Sequence, residues 1–580
     1  MKPVIPVINK TPELADCRDQ WFLDEAYDCW CLEDILYTQK ATTPKFQRMS
    51  IFVPHAYLNA DGSVNAEGSC GSFTAETAPV VFENNSAGYM QMPHTWLGGP
   101  RDEAPKYLRR GMVYVTCGSR GRESRDQSGQ LCGKSPWTLV DLKTGIRFLR
   151  HNAGVLPGNF ARMISVGWSA GGAMSSLLGV TGNDPKFLPY LEQNGAFLDE
   201  TDDVYAAQAY CPILDLDHAD LAYEWQFRND PENESSPAGP AGTMTPFQDA
   251  LSQKLSARYV EYFNSLGLTD PSTGTALTLG PDGRSGSAYT LLMETLEASA
   301  AKYLKKLDAG ELPEQYSAAD YLTGNYTYKT DAPAPGPGPD GPDGPEKKDD
   351  LGLHHAGAAV MLPPLDGEPD GEKPMGPPSL GDLVSRPPKG VPYKGLEFPQ
   401  IEVPGDDKRS WLSWDGTKAS ITDLDSYILN HRRRMKPCTA FDTLNADSGE
   451  NQEFGTPEQD YLHFNPAIAE AVAELKDDYP EEYAAYYPSW STVAADAAQA
   501  ERRALINPMN YIGSADSTCA PYFRIRVGAQ DADTAFTISM AFGLKLANDG
   551  IDVDYALVWD KPHCEADYPD EVCDWIEKII

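Results

Sequence analysis

The segment ARMISVGWSAGGAMSSLLGV, residues 161–180, decides the fold. Its first half is an apolar run that ends in Gly167-Trp168-Ser169-Ala170-Gly171, the sole G-x-S-x-G of the chain. Its second half is a run of small and apolar residues suited to a helix. A strand that turns sharply into a helix forces unusual backbone angles on the residue at the turn and crowds its neighbours, so an elbow of this kind needs flanking glycines. The elbow lifts a serine hydroxyl to the C-terminal edge of a sheet, beside the free N–H groups of a helix N-terminus, where a developing oxyanion is stabilised. In a chain with 49 glycines the five-residue match alone carries little weight. The strand before it and the helix after it give it meaning. An ordinary Gly-rich strand-to-helix turn in a binding protein would share the local pattern.

Outward from this segment the first half of the chain alternates between two periodicities. MSIFVP (49–54), APVVFEN (78–84) and GMVYVTCG (111–118) are short runs rich in Val, Ile and aromatics and read as strands. SPWTLVDLKTGIRFLRHNAG (135–154) places Leu139, Leu142, Ile146, Phe148 and Leu149 on one helical stripe. Strands alternating with helices predict a mostly parallel, doubly wound sheet, the α/β-hydrolase fold. The pattern returns at the C-terminus: YFRIRVGA (522–529) is a strand, TAFTISMAFGLKLANDG (534–550) a helix closed by Gly550, DVDYALVWD (552–560) a strand, and YPDEVCDWIEKI a last helix.

Between these halves the character changes. Helical pieces rich in Ala, Leu and Tyr surround DAPAPGPGPDGPDGPEKKDD (331–350), which has almost no apolar side chain to bury and reads as a flexible surface insertion. The expected organisation is a hydrolase core over 1–220 and 501–580, with a large lid over 221–500 whose Pro/Gly-rich part spans 331–400.

A serine hydroxyl is scarcely ionised near neutral pH and needs a base. In this fold the order along the chain is Ser, then Asp or Glu, then His, with the acid just past a late strand and the His just past the last one. Asp531 follows YFRIRVGA, in Gly-Ala-Gln-Asp-Ala-Asp, and His563 follows DVDYALVWD, in Asp-Lys-Pro-His-Cys. The remaining histidines sit elsewhere: His55, His94, His151 and His218 precede or closely follow Ser169, His354 and His355 fall in the Pro-rich region, and His431 and His463 in the lid. Position along the chain does not separate Asp531 from Asp533 as the acid.

Composition narrows the function classes. The net charge of −37 over 580 residues repels phosphate backbones and anionic membrane surfaces, which argues against nucleic-acid and membrane partners. No run of apolar residues is long enough to span a bilayer. The N-terminal MKPVIPVINKTPE lacks a signal-type apolar region, so the expected location is the cytoplasm, or outside the cell if a signal was removed. Most of the eleven scattered cysteines read as buried free thiols, and no His or Cys spacing fits a metal motif, so no structural metal is expected.

With these residues placed, the chain resembles bacterial tannases, the acyl hydrolases that cleave galloyl esters. The resemblance is carried by FQRMSIFVP, TAPVVFENNSAGYM, GMVYVTCGSRGRES, SPWTLVDLKTGIRFLRHNAG, GWSAGGAMSSLLGVTGND, AYCPILDLDHADLAYEW, RRMKPCTAFD, ENQEFGT, and GAQDADT through DYALVWDKPH. It covers most of the chain outside roughly 225–400. It implies an α/β-hydrolase core with a large inserted lid, no metal or organic cofactor, and a triad of Ser169, Asp531 and His563, thereby favouring Asp531 over Asp533. It further implies that Lys436, Glu450 and Asp533 read the three phenolic hydroxyls of a galloyl ring, and that the N–H groups of Ala170 and Gly88 hold the oxyanion. From the residues alone, Lys436 and Glu450 read only as surface charges. The Pro-Gly insertion and the Cys29-Trp30-Cys31 segment depart from the family pattern. The implied substrate is a small aromatic ester. A feruloyl or other short-chain carboxylesterase would use the same triad, and a non-catalytic binding protein on this scaffold would have no use for it.

Overall fold

The computed structural model describes residues 11, 13–98, 102–233, 242–312, 314, 316–324, 409–564 and 566–580. The Pro/Gly-rich stretch 331–400 and the N-terminal residues 1–10, on which the signal reading rests, lie outside the described residues.

Nine strands form one sheet: β1 (Phe22–Asp24), β2 (Cys29–Leu36), β3 (Arg48–Pro54), β4 (Pro79–Asn84), β5 (Val113–Cys117), β6 (Asn159–Trp168), β7 (Ala206–Tyr210), β8 (Tyr522–Gly528) and β9 (Asp552–Val558). Their order in space is β1-β2-β3-β5-β4-β6-β7-β8-β9. The first three strands and the β3–β5 pair are antiparallel. Every pair from β5 to β9 is parallel. The inner strands β4 and β5 are buried along their whole length, as continuous apolar runs in a two-sided parallel sheet should be. The α/β-hydrolase fold expected from the sequence is thus the observed one. Strands β1, β2 and β7 were not among the strands read from the sequence.

The chain steps from β4 to β5 on one side and then back across β4 to β6 on the other. This reversal opens a crevice beyond the C-terminal ends of β4 and β6, the place where parallel α/β sheets hold their ligands. Ser169 stands at the end of β6. The turn Ala87–Tyr89 follows β4 and packs on the helix that leaves Ser169.

The helices that frame the site are α1 (Trp137–His151), α2 (Ala170–Val180), α3 (Ala219–Phe227), α4 (Pro246–Ser265), α5 (Ser287–Ala309), α6 (Leu424–His431), α7 (Gly449–Glu453) and α8 (Phe536–Asn548). Among the described residues, the chain adds no strand to the large sheet between Tyr210 and Tyr522; the intervening elements, mostly helices, form the inserted cap. Helix α3 is buried throughout and packs along α4. Helix α5 lies against β9, where Ser299 Oγ donates to the Leu557 carbonyl at 2.7 Å and so satisfies an edge-strand acceptor. A single apolar cluster runs from Leu14 through the sheet and cap to Ile576, so cap and core share one hydrophobic interior. No helix among the described residues is long and apolar enough to cross a membrane.

Candidate functional site

The turn after β6 has the geometry its glycines require. Ser169 sits at φ 57°, ψ −123°, immediately before α2. A Cβ on Gly167 would stand 2.2 Å from the Gly171 carbonyl oxygen, so only glycine fits there. Asn84, the last residue of β4, locks the elbow: its Nδ2 donates to the carbonyls of Val166 (3.1 Å) and Gly171 (3.2 Å) and to Ser175 Oγ (2.9 Å). The Ser169 N–H is held by the Tyr210 carbonyl at 2.9 Å.

Three side chains remote in sequence then meet. Ser169 Oγ lies 2.8 Å from His563 Nε2, and His563 Nδ1 lies 2.9 Å from Asp531 Oδ2. Asp533 stands further off, its Oδ2 at 3.7 Å from the same nitrogen, and its own N–H donates to Asp531 Oδ1 at 2.8 Å. Geometry therefore separates the two acids that chain position left open: Asp531 is fully buried and hydrogen-bonded to the imidazole, whereas Asp533 is partly exposed.

The loops carrying the acid and the imidazole are bound to each other. Gln530 N donates to the Lys561 carbonyl at 2.9 Å and Ala529 N to the Val558 carbonyl at 2.8 Å. A side chain on Gly528 would meet the Lys561 carbonyl oxygen at 2.2 Å, so this glycine permits the close approach. From the cap, the Tyr427 hydroxyl donates to the Ala529 carbonyl. Behind the imidazole, Gly528 N and Cys564 N both point at the sulfur of Cys211, at 3.5 and 3.3 Å.

Electrostatics favours an ion-pair-like His–Asp unit. Burial alone would raise the pKa of Asp531, but the His563 ring and the Arg432 guanidinium outweigh it and hold the carboxyl below its usual value. Burial alone would lower His563; the Asp531 carboxylate reverses this and raises the imidazole well above its ordinary value. Arg432 is itself buried, donating to the Thr534 carbonyl at 2.6 Å and lying 4.3 Å from the Phe536 ring centre. A Ser–His–Asp chain with these contacts can move a proton from hydroxyl to imidazole while the carboxylate keeps the ring in one tautomer.

Lys436 is buried, not a surface charge, and that expectation is corrected. Its amide donates to the Tyr223 hydroxyl at 3.0 Å, the same hydroxyl that donates to the Ala532 carbonyl at 3.0 Å between Asp531 and Asp533. Lys436 Nζ lies 3.9 Å from the Phe441 ring centre. Glu450 is half-buried on α7. Among the described residues neither the Lys436 ammonium nor the Glu450 carboxylate has an ion-pair partner, and no hydrogen bond joins Lys436, Glu450 and Asp533 to one another. Ala170 is buried at the first position of α2, and Gly88 lies exposed at the tip of its turn, at φ 59°, ψ 23°. Arg122 ties that turn to α7: its Nε donates to the Gly88 carbonyl at 2.8 Å and its Nη1 to Gln452. Arg122, Tyr223, Arg432 and Cys211 were not found from sequence. Each acts through a tertiary contact that leaves no local pattern.

Comparison with solved structures gives a tannin acyl hydrolase from Lactobacillus plantarum at 30% identity and TM-score 0.68, with 95% of this chain and 94% of that chain covered. The chain belongs to the bacterial tannase family. It is accordingly an ester hydrolase. Other tannase structures agree: a tannin acyl hydrolase in complex with ethyl gallate (29% identity, TM-score 0.68, 95% and 93% covered) and the tannase of Fusobacterium nucleatum (27%, 0.67, 95% and 95%). The family model described as BD-FAE matches residues 130–238, which include the elbow of this tannase-family chain. Among curated proteins no relative matches it.

Proposed function

We propose that this protein hydrolyses galloyl esters, such as alkyl gallates and gallotannin-like molecules, with Ser169 as nucleophile, His563 as general base and Asp531 as its orienting acid. The observation that carries this reading is the continuous hydrogen-bonded chain from Ser169 Oγ through His563 to Asp531, at 2.8 and 2.9 Å. His563 Nε2 takes the hydroxyl proton as Ser169 Oγ attacks the ester carbonyl. The N–H groups of Ala170 and Gly88 hold the oxyanion. The alcohol leaves with the proton carried by His563, and a water activated by the same imidazole releases gallate from the acyl-enzyme.

Ring recognition falls to Lys436, Glu450 and Asp533. A buried ammonium without a carboxylate partner is costly unless a ligand supplies acceptors. The adjacent hydroxyls of a galloyl ring would do so, and Glu450 and Asp533 would accept their protons. A site built for those hydrogen bonds discriminates strongly against rings that lack them. The bound ethyl gallate of the related tannin acyl hydrolase supports the same substrate class.

The test compares kcat/KM on methyl gallate, methyl ferulate and methyl benzoate. Preference for the gallate by at least about tenfold over both is expected. A faster rate on the ferulate would assign the enzyme to another aromatic ester.

A further inference from the structure

Cys211 follows β7 directly and takes no part in the ester chemistry proposed above. Its Sγ, a carboxylate oxygen of Asp531 and a ring nitrogen of His563 all lie within 4.8 Å of one another. They come from three separate segments, which is why no spacing in the sequence announced them. Thiolate, imidazole and carboxylate form a donor set suited to borderline divalent ions, above all zinc, which bonds them at about 2.0–2.3 Å. The His563–Asp531 separation of 2.9 Å is near that of two donors on one tetrahedral ion, about 3.3 Å, and the Cys211 sulfur must come to about 3.5 Å from each to complete the set.

The sulfur is also held in place. The Cys211 N–H donates to the Arg526 carbonyl at 2.7 Å, and the amides of Gly528 and Cys564 point at Sγ from 3.5 and 3.3 Å. Burial and the nearby Asp531 carboxylate push the Cys211 thiol up to about 12; the two N–H dipoles directed at its sulfur act the other way, and a metal ion must displace the proton to bond the thiolate. Cys211 and Asp531 are fully buried, while the His563 side chain retains 13% exposure, so the imidazole is the member of the set in contact with solvent.

We propose that Cys211, Asp531 and His563 form a binding site for a thiophilic divalent metal ion of the zinc class, and that its occupancy blocks ester hydrolysis. On binding, the Cys211 thiol releases its proton to solvent and the S–metal bond forms. The proton on His563 Nδ1 moves to Nε2, leaving Nδ1 free to ligate; one Asp531 oxygen completes the set. Starting from the neutral imidazole one proton is released in all; starting from the imidazolium the Nδ1 proton also leaves to solvent, making two. With Nε2 protonated, the imidazole can no longer accept the Ser169 proton. The binding half stands on geometry alone, and the blocking half rests on the role proposed for His563.

The full-length chain tests both halves. Titrating the parent protein and Ser169→Ala with cobalt(II) should give a thiolate-to-cobalt charge-transfer band in each, and Cys211→Ala should lose it. If Cys211→Ala fails to fold, Cys211→Ser keeps an acceptor for the two amides and should lose the band equally. In parallel, the zinc concentration that halves methyl gallate hydrolysis should rise at least tenfold in the Cys211 variant, each variant referred to its own metal-free rate, with chelator restoring the parent. A parent protein without the band, or a band that survives loss of Cys211, overturns the site, including the case in which Cys564→Ser removes it instead. A band lost with Cys211 but with hydrolysis untouched by zinc keeps the site, overturns the block, and counts against His563 as the base.

Discussion

The phenolic oxygen of Tyr223 accepts the amide N–H of Lys436 at 3.0 Å while its own proton goes to the carbonyl of Ala532, also at 3.0 Å. One buried hydroxyl thus sets the distance between the cap segment proposed to read the ring and the turn that carries Asp531 and Asp533. Met435 N, at 3.2 Å, is a third partner. Tyr223→Phe leaves two buried amides without an acceptor and should cost about 2 kcal/mol in urea denaturation. KM for methyl gallate should rise more than KM for methyl benzoate. Unchanged stability with unchanged KM would remove this link from the account.

Lys436→Met and Asp533→Asn should each raise KM for methyl gallate by at least about tenfold, the worth of one lost hydrogen bond to a charged group. Methyl benzoate, which offers no ring hydroxyls, should be nearly indifferent. Equal effects on both esters would mean that these side chains shape the pocket without reading the ring.

The state of His563 sets the pH dependence. Burial alone would lower its pKa, but the Asp531 carboxylate holds it well above the usual imidazole value. A protonated ring cannot accept the Ser169 proton, so kcat/KM should fall on the acid side with a limb above about pH 6.5. Asp531→Asn removes the charge that raises the pKa; the limb should move to lower pH while the plateau kcat drops about 10⁴-fold. The linkage runs the same way. With the folded pKa raised, this proton's contribution to stability is complete below the unfolded value of about 6.5 and disappears as pH climbs through the folded pKa. A pH–rate limb that stays in place in Asp531→Asn would contradict the His–Asp coupling.

Gly167→Ala should be the most damaging small change at the elbow. Its new methyl would stand 2.2 Å from the Gly171 carbonyl and 2.6 Å from Asn84 Nδ2, so β6, α2 or Asn84 must move. A loss of at least about 2 kcal/mol is expected from such overpacking, with kcat falling as Ser169 shifts. Calorimetry and steady-state rates together check it, and a variant with parental Tm and kcat would refute the crowding argument.

The parts of the fold that bury continuous apolar runs were legible in the sequence. Strands β3, β4, β5, β6, β8 and β9 and helices α1, α2 and α8 were all expected from periodicity and fall where expected to within a few residues. The three strands that escaped have physical excuses. Strand β2 carries Glu33 and Asp34 and breaks register between Leu32 and Ile35, which interrupts its apolar run. Strand β7, AAQAY, is short and alanine-rich, with little β-propensity of its own. Strand β1 is three residues at the sheet edge. That Ser169, Asp531 and His563 would come together was legible because this fold fixes their order relative to the strands. Lys436 was not: in HRRRMKP it looks like one charge in a solvated run, yet Arg432, Arg434 and Lys436 are all buried, Arg434 against Glu224. Partners 210 residues apart leave no trace in local sequence.

The central claim is that the hydroxyl of Ser169, activated by His563, forms the acyl-enzyme. Turnover of methyl gallate by Ser169→Ala, with its fold verified by circular dichroism, tests it most directly. The expected result is a fall in kcat of at least about 10⁴-fold, as for loss of the nucleophile in other serine hydrolases. A correctly folded variant that keeps within tenfold of the parent rate would contradict it.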